Sequence, residues 1–294
     1  MEPKYIPARS LEDALEHLSR QGEKTRILAG GTDVLVALRS ARLEGHTLPE
    51  FLLDISPLPD LQKINFKDDQ VSIGAAVPFR VLESHPQIQK KWPLLARASS
   101  RIGSPQVRHL ATLGGNVGSA SPAGDGITPL VALSAAALVR SARGSRQVPV
   151  EDLVTSPGKN ALAIDELIVS FSLKVPLQPE ACFFDKIMRR QAVAIARMNL
   201  AVQLALDSSD RISSAAIAAG AIFPRPGRLT EVEQLLVGQF PDEKLFTIAG
   251  ETATRMMLKV SGQRSSMDYK APALKKLVAW GLRQACQGER KFGV

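Results

Sequence analysis

Cysteine is scarce in this chain: Cys182 and Cys286 stand far apart with no CxxC spacing among 294 residues. That excludes a disulfide framework, a zinc site and an iron–sulfur cluster held by this chain alone, and leaves two buried, reduced thiols as the expectation. Aromatic residues are only 5%, and the lysines and arginines are scattered among acids, so the formal charge of +8 does not describe a nucleic-acid surface. The four histidines, His17, His46, His85 and His109, form no HExxH or other metal-ligand pair, and no GxSxG elbow exists. Hydrolytic and metal chemistry drop out. The longest apolar run, Ile127–Val139 (ITPLVALSAAALV), is too short for a bilayer and holds a proline, a threonine and a serine, so no membrane span is expected. The opening residues, MEPKYIPARSLEDALEHL, carry charge and no apolar core with a small-residue cleavage site. A secretory leader is therefore not expected, the mature chain is expected to begin near Met1, and a cytoplasmic location follows.

What is present is ordinary globular composition, 45% hydrophobic and 22% charged, in a chain long enough for two or three domains at about 100–200 residues each. Apolar residues at Leu11, Ala14, Leu15 and Leu18 mark an amphipathic helix, with Ser10 as its cap and Asp13 at the capping-box position. A strand at Arg26–Leu28 follows, then a short helix through Val34, Leu35, Ala37 and Leu38 capped by Thr32 or Asp33, then a strand at Phe51–Ile55. Residues 1–60 thus read as one βαβ-like unit. A second, residues 61–176, opens with strands Leu61–Phe66 and Gln70–Val77 joined at Lys67, Asp68 and Asp69. It continues helically from Pro78 to Ile102, interrupted at Pro86 and Pro93, and ends with strands Ala137–Ser141 and Glu166–Val175. The stretch Pro176–Glu180 (PLQPE) is a linker. Residues 177–294 form a third unit: strands Cys182–Met188, Met198–Leu206 and Ile212–Ile222, then helices Thr230–Val237, Asp242–Leu258 and Ala273–Cys286. Strands followed by helices predict an α+β domain with its helices on one face of an antiparallel sheet.

Two glycine pairs stand out, Gly30-Gly31 in RILAGGTDVLV and Gly114-Gly115 in HLATLGGNVGSASPAGDG. A glycine pair permits strained backbone angles and removes the Cβ atoms that hold a ligand away, so amide N–H groups can converge on one oxygen-rich group. Thr32, Thr112, Asn116, Ser119 and Ser121 add neutral hydrogen-bonding groups suited to a phosphate or a ribose. Lone Gly-Gly turns are common structural features, but two loops of the same strand, Gly-Gly, polar-residue format point to a ligand gripped from two sides. No GxGxxG follows an opening strand, and Gly158-Lys159-Asn160 lacks both the upstream glycine, at Leu153, and the Ser or Thr of a P-loop.

LAGGTD at Leu28–Asp33 and TLGGN at Thr112–Asn116, with SASPAGD running on to Asp125, resemble the two FAD-binding signatures of the medium, flavin-binding subunit of molybdenum hydroxylases. That family includes the xanthine dehydrogenase FAD subunit and the carbon monoxide dehydrogenase medium subunit. The resemblance covers nearly the whole chain: GSPQVRHLATLGGN leads into the second loop, FDKIMRRQAVAIARMNLAV opens the C-terminal domain, and RSSMDYK is similar to the closing signature. It implies the two-subdomain FAD-binding fold of the vanillyl-alcohol oxidase (PCMH) type followed by an α+β flavoprotein C-terminal domain. Position by position, it implies that Ile27, Leu28, Ala29, Gly30, Gly31, Thr32 and Asp33, with Thr112, Leu113, Gly114, Gly115 and Asn116, contact the diphosphate and ribitol, and Ser119 is counted with them as a cofactor-binding residue. Asp125 becomes a hydrogen-bonding partner of the cofactor, and Ile102, Leu167 and Lys186 match positions near the adenine or isoalloxazine. Without the resemblance, Leu167 reads as core, Lys186 as an exposed strand residue in a surface ion pair, Arg189 and Arg190 as solvent- or partner-facing, and Ala192–Ala205 as interior packing.

The resemblance further implies an electron-exit subunit of an oxidoreductase. Substrate is oxidised at a molybdenum cofactor on a large subunit, two [2Fe-2S] clusters sit on a small subunit, and the FAD passes electrons to NAD+ or to a quinone, a carrier protein or oxygen. A heterotrimer or a dimer of heterotrimers is expected, and no catalytic acid or base is needed on this chain. Members similar to 4-hydroxybenzoyl-CoA reductase carry an inserted cysteine-bearing segment that is missing here, and the Thr32-Asp33 pair after the first glycines resembles the xanthine dehydrogenase type. A stand-alone, diaphorase-like FAD protein and a basic RNA-associated protein are the alternatives; co-purifying subunits would separate the first, salt-sensitive RNA binding the second.

Overall fold

In the computed structural model, which describes residues 2–190 and 193–288, Ser10 Oγ accepts the Asp13 N–H at 3.0 Å and starts the first helix. The Asp13 carboxylate in turn accepts the Arg9 N–H at 2.9 Å, and its hydrogen bonds with Arg9 hold its pKa down to about 2. The first unit comprises β1 (Lys4–Pro7), α1 (Leu11–Gln21), β2 (Thr25–Leu28), α2 (Val34–Leu43) and β3 (Phe51–Asp54). Its three strands form a parallel sheet in the order β1-β3-β2. Leu11, Ala14, Leu15 and Leu18 of α1 are buried, as their spacing requires, and pack with Leu53, Ile55 and Leu58.

The second unit runs through β4 (Ile64–Lys67), β5 (Gln70–Gly74), α3 (Phe79–Ser84), α4 (Pro86–Lys91), α5 (Pro93–Ser100), α6 (Pro105–Leu110), α7 (Leu113–Gly118) and α8 (Ile127–Ala132). It continues with β6 (Ala136–Ser141), β7 (Gly144–Pro149), α9 (Val150–Leu153), the small hairpin of β8 (Val154–Ser156) and β9 (Lys159–Asn160), and β10 (Leu167–Lys174). Lys67 pairs with Gln70, so Asp68 and Asp69 alone make the β4–β5 turn. Five strands form an antiparallel sheet in the order β4-β5-β10-β6-β7. Pro86, Pro93 and Pro105 each begin a helix, where a missing N–H costs nothing, so the prolines mark starts as well as stops. Trp92, fully buried, donates its Nε1–H to the Lys174 carbonyl at 2.8 Å and fastens the helices to the end of β10.

The third unit comprises β11 (Cys182–Ile187), β12 (Met198–Leu206), β13 (Ile212–Gly220), β14 (Gly227–Arg228), α10 (Thr230–Leu236), α11 (Glu243–Ser261) and α12 (Met267–Gln287). Its antiparallel sheet, in the order β11-β12-β13-β14, is covered on both faces. Phe183, Leu200, Val202 and Ala219 pack under the helices, whereas Cys182, Phe184, Ala201 and Ala218 join the core of the second unit. The period of two in a strand sends alternate residues to those two cores, which is why β12 is buried along nearly its whole length. Helix α12 begins six residues before the expected Ala273 and carries Pro272 inside it. Neither cysteine is in a disulfide, but Cys286 is only half-buried, against expectation; burial pushes its pKa up to about 11.

Trp92→Ala should lower the stability to urea by about 3–5 kcal/mol through the cavity it leaves. Trp92→Phe should lose about 1–3 kcal/mol, much of it from the orphaned Lys174 carbonyl. Equal midpoints for wild type and both variants would remove Trp92 as the fastening.

Candidate functional site

The two glycine pairs meet at one cavity of about 740 Å³ between the first two units, closed on its third side by β11 and the residues that follow it. Within each pair the glycines do different work. A Cβ on Gly30 would sit 1.9 Å from the Leu110 carbonyl oxygen, and one on Gly114 would sit 2.6 Å from Ala75 Cβ. These two glycines let the cavity's walls approach one another. Gly31 takes φ +74°, a left-handed angle that a β-branched residue adopts only under strain. Gly115 has no such angle; it lies in the first turn of α7, where the Thr112 hydroxyl caps its N–H at 3.1 Å and is the one heavy atom a Cβ would crowd.

The shared strand, Gly-Gly format expected of the loops therefore holds only for the first, which follows β2. The second is preceded by α6 and its glycines are helical. Thr32 and Asp33 also differ from expectation: Asp33 occupies the N-cap position of α2 but its side chain makes no capping bond. Instead its carboxylate lies 2.8 Å from the Ser119 hydroxyl, which is equally close to the Gly115 carbonyl, so one hydroxyl proton bridges the two loops. Asn116 Oδ1 accepts the Gly126 N–H at 3.0 Å and ties α7 to the segment bearing Asp125.

Asp125 and Lys186 form the buried end of the site. The Lys186 ammonium donates to Asp125 Oδ2 at 2.5 Å and to the Ala194 carbonyl at 3.2 Å. Asn199 Nδ2 donates to Asp125 Oδ1 at 2.8 Å, and its own Oδ1 accepts the Thr128 hydroxyl at 2.8 Å. Lys186 is 6% exposed and Asp125 8%, so the surface ion pair expected of Lys186 is replaced by a buried one. Burial pushes the Asp125 carboxyl above its ordinary range, opposed by Lys186, Asn199 and Arg101.

Of the residues singled out from the sequence, Ala29 to Asp33, Thr112, Gly114 to Asn116, Ser119 and Asp125 line the cavity, as do Ile27, Ile102, Leu167 and Lys186. Leu167 is core and wall at once. Leu28 and Leu113 do not line it. The Leu28 carbonyl accepts the Ile55 N–H at 2.9 Å, and the Leu113 side chain is fully buried in the second unit. Arg189 and Arg190 are exposed. The interior packing expected of Ala192–Ala205 fails at its start: Val193, Ala194 and Ile195 border the cavity, with Ile195 exposed, while Ala192 falls outside the described residues. The sequence reading also missed Gly158 and Asn160 of the β8–β9 hairpin, which reach the cavity because Asn160 Nδ2 donates to the Gly118 carbonyl at 2.9 Å. The Gly-Lys-Asn turn was the available signal. Among the described residues no group of three or more potential metal ligands occurs. The walls offer neutral donors, one buried ion pair and aliphatic surface, which suits a large ligand that carries both phosphates and a planar ring system.

The family described as the FAD binding domain in molybdopterin dehydrogenase matches residues 1–177, and that described as the CO dehydrogenase flavoprotein C-terminal domain matches residues 183–285. The chain is 31% identical over 238 residues to the nicotinate dehydrogenase FAD-subunit of Eubacterium barkeri, covering 80% of this chain and 79% of that one. It is 30% identical over 274 residues to the glyceraldehyde dehydrogenase medium chain of Sulfolobus acidocaldarius, covering 93% and 94%. A chain of reconstituted CO dehydrogenase from Oligotropha carboxidovorans shares the fold with a TM-score of 0.88 at 25% identity, covering 98% of this chain and 100% of that one.

Lys186→Met should cost about 3–5 kcal/mol in urea unfolding, because it strands the Asp125 carboxylate in a buried site. The double variant Lys186→Met/Asp125→Asn should recover at least half of that loss. A double variant no more stable than the single one would show that the pair is not coupled.

Proposed function

Because the chain belongs to the family of FAD-binding subunits of molybdenum hydroxylases, we propose that it holds FAD between its first two units and serves as the electron-exit subunit of such an enzyme, with NAD+ as the acceptor. The observation that carries this reading is the convergence of both glycine pairs on one cavity of about 740 Å³, each with a glycine whose side chain would obstruct either the walls or the contents. The N–H groups at the start of α2, beside Gly31 and Thr32, would hold the diphosphate from one side, and those of Gly115 and Asn116 from the other. Asp33 and Ser119, already bonded across the gap, would accept and donate to the ribose or ribitol hydroxyls. Ile102 and Leu167 would exclude water from the ring system, and the Asp125–Lys186 pair would fix its polar edge. Bound there, FAD supplies redox chemistry that takes electrons singly from iron–sulfur clusters and gives a pair to an external acceptor.

On this reading the partners are a large subunit with the molybdenum cofactor and a small subunit with two [2Fe-2S] clusters, in a heterotrimer or a dimer of heterotrimers. The compound oxidised is set by the large subunit. Names of relatives support a multi-subunit setting, since they are called a FAD-subunit, a medium chain and a medium subunit.

The test is the visible spectrum of the purified chain before and after anaerobic NADH. Flavin bands that NADH bleaches are the expected result. Bands that NADH leaves unchanged, with the partner subunits present, would replace NAD+ by a quinone, a carrier protein or oxygen as acceptor. A colourless chain that refuses added FAD would sink the cofactor reading. Gly31→Val, through backbone strain, and Gly115→Val, through the Thr112 contact and the occupied space, should each reduce flavin content by at least tenfold; normal stoichiometry in both would overturn the two-cradle arrangement.

A further inference from the structure

The two residues that hold Asp125 from behind border no part of the cavity. Asn199 and Thr128 are fully buried, and neither is among the residues that line it. Yet the strand ends around them are shaped for the Asn199 amide. Asn199 on β12 pairs with Gly220 on β13, and a Cβ on Gly220 would lie 2.3 Å from Asn199 Oδ1 and 2.8 Å from Thr128 Oγ1. Any side chain there would displace the amide, so the glycine keeps a relay of three polar groups, Thr128 to Asn199 to Asp125, in the interior. Polar groups buried where aliphatic ones would pack cost stability unless every bond is made.

We propose that Asn199 and Thr128 are positioning residues for the cofactor, which keep Asp125 a bare acceptor at the cavity wall, an inference that rests on the reading of that cavity as a flavin site. Donors and acceptors along the relay fit one arrangement. The Thr128 hydroxyl donates to Asn199 Oδ1 at 2.8 Å, which turns the other end of the amide, Nδ2, to Asp125 Oδ1 at 2.8 Å. Lys186 Nζ donates to Asp125 Oδ2 at 2.5 Å. Both carboxylate oxygens thus face an N–H. With a proton on Oδ1 instead, the amide has to turn over to accept it, and Nδ2 then faces the Thr128 oxygen. The threonine's own hydroxyl proton is left without that acceptor in a fully buried place. An unmade bond of this kind favours the ionised arrangement by about tenfold.

Ionisation decides what the wall can recognise. Each carboxylate oxygen has two acceptor positions, and an ammonium has three protons. One position on each Asp125 oxygen is taken, and two Lys186 protons go to Asp125 and the Ala194 carbonyl. What remains is an acceptor beside a donor, on two residues that both border the cavity. The polar edge of an oxidised flavin ring is one N–H between two carbonyls, which an ionised Asp125 beside a charged Lys186 matches. A protonated Asp125 would set donor against donor. The charged groups around Asp125 among the described residues are Lys186 from β11 and, at longer range, Arg101 at the end of α5, itself paired with Asp185 at 2.7 Å. Burial pushes the Asp125 carboxyl up, and Lys186, Asn199 and Arg101 pull it back. Of these groups Asn199 takes its orientation from a neutral hydroxyl, so Thr128 is where the balance can be changed without touching a charge.

The experiment titrates the full chain without bound flavin against FAD from about pH 5 to about pH 9, a range that spans a carboxyl raised by burial. Quenching of flavin fluorescence is followed for wild type, Thr128→Val, Thr128→Ser and Asn199→Leu. Binding needs the ionised carboxyl, so affinity is full above its pKa and is lost as pH falls through it. Thr128→Val should move that loss up by about one pH unit, and Asn199→Leu by about one to two. Above it, Thr128→Val should bind FAD as wild type does, and Thr128→Ser, which keeps the hydroxyl, should return the wild-type profile. An affinity lowered equally at every pH, which a merely structural role gives, or a profile that does not move, would overturn the proposal. A shift in Thr128→Ser equal to that in Thr128→Val would overturn it as well. Urea midpoints show which variants have folded, and either Thr128→Val or Asn199→Leu alone decides the matter. A wild-type chain that takes up no FAD at any pH would overturn the functional reading and this proposal together.

Discussion

Two opposite charges taken out of water hold the site together. Lys186 on β11 and Asp125 in the second unit are both almost fully buried, and neither could remain ionised there alone. Their contact leaves no polar atom of the pair without a partner: Asn199 from β12 satisfies the second Asp125 oxygen, Thr128 satisfies Asn199, and the Ala194 carbonyl takes another Lys186 proton. The network joins the segment after the second glycine pair, two strands of the C-terminal sheet and the chain that borders the cavity mouth. A network in which each polar atom of the pair has a partner is rigid, whereas an unpartnered buried charge would be costly. The third unit is thereby a wall of the site as well as a covering for the second unit.

Backbone proximity is the other constraint, and it explains why the site needs paired glycines. Gly30 against Leu110 brings the first unit onto the end of α6, and Gly114 against Ala75 brings α7 onto the residue that follows β5, each closer than a side chain would allow. Gly31 and Gly115 then stand at the inner surface. In each pair one glycine builds the wall and the other clears the space beside it. The Asp33–Ser119 contact crosses the remaining gap, so the two cradles are linked before any ligand arrives, which lowers the ordering cost of binding.

How much of this the sequence disclosed follows from where each signal is local. The α1 helix was legible because its cap, capping-box partner and apolar spacing lie within nine residues, Ser10 to Leu18. The three long strands and the C-terminal helices were legible from period and length. Strand β1 was not: it has four residues, ends in a proline, and exists because β3 pairs with it across the length of the unit. Lys186 looked exposed because alternation along β11 says nothing of what covers each face, and here both faces are covered. The helical setting of Gly115 and the beginning of α12 before Pro272 went against local propensity and depend on tertiary packing. Asn160 and the residues from Val193 to Ile195 reach the cavity through hydrogen bonds spanning 42 residues in one case and the Lys186 contact in the other, so no short motif could announce them.

The absence of a nucleophile, a metal-ligand set or an acid–base pair in the sequence takes on meaning beside this architecture. Where a cofactor brings the reactive atoms, the protein's share is to bind, orient and exclude water, and neutral donors with one internally satisfied ion pair suffice for that. Helix α2 shows what such a division of labour asks of a scaffold. An isolated helix of ten residues is marginal in water, and α2 gains little from the core because none of its residues is buried. Its inner face borders the cavity, with Val34, Leu38 and Ala41 half-buried, while Leu35, Val36 and Leu43 on the other side are exposed. Anything held in the cavity packs against the inner face and so orders a segment that the core holds only weakly.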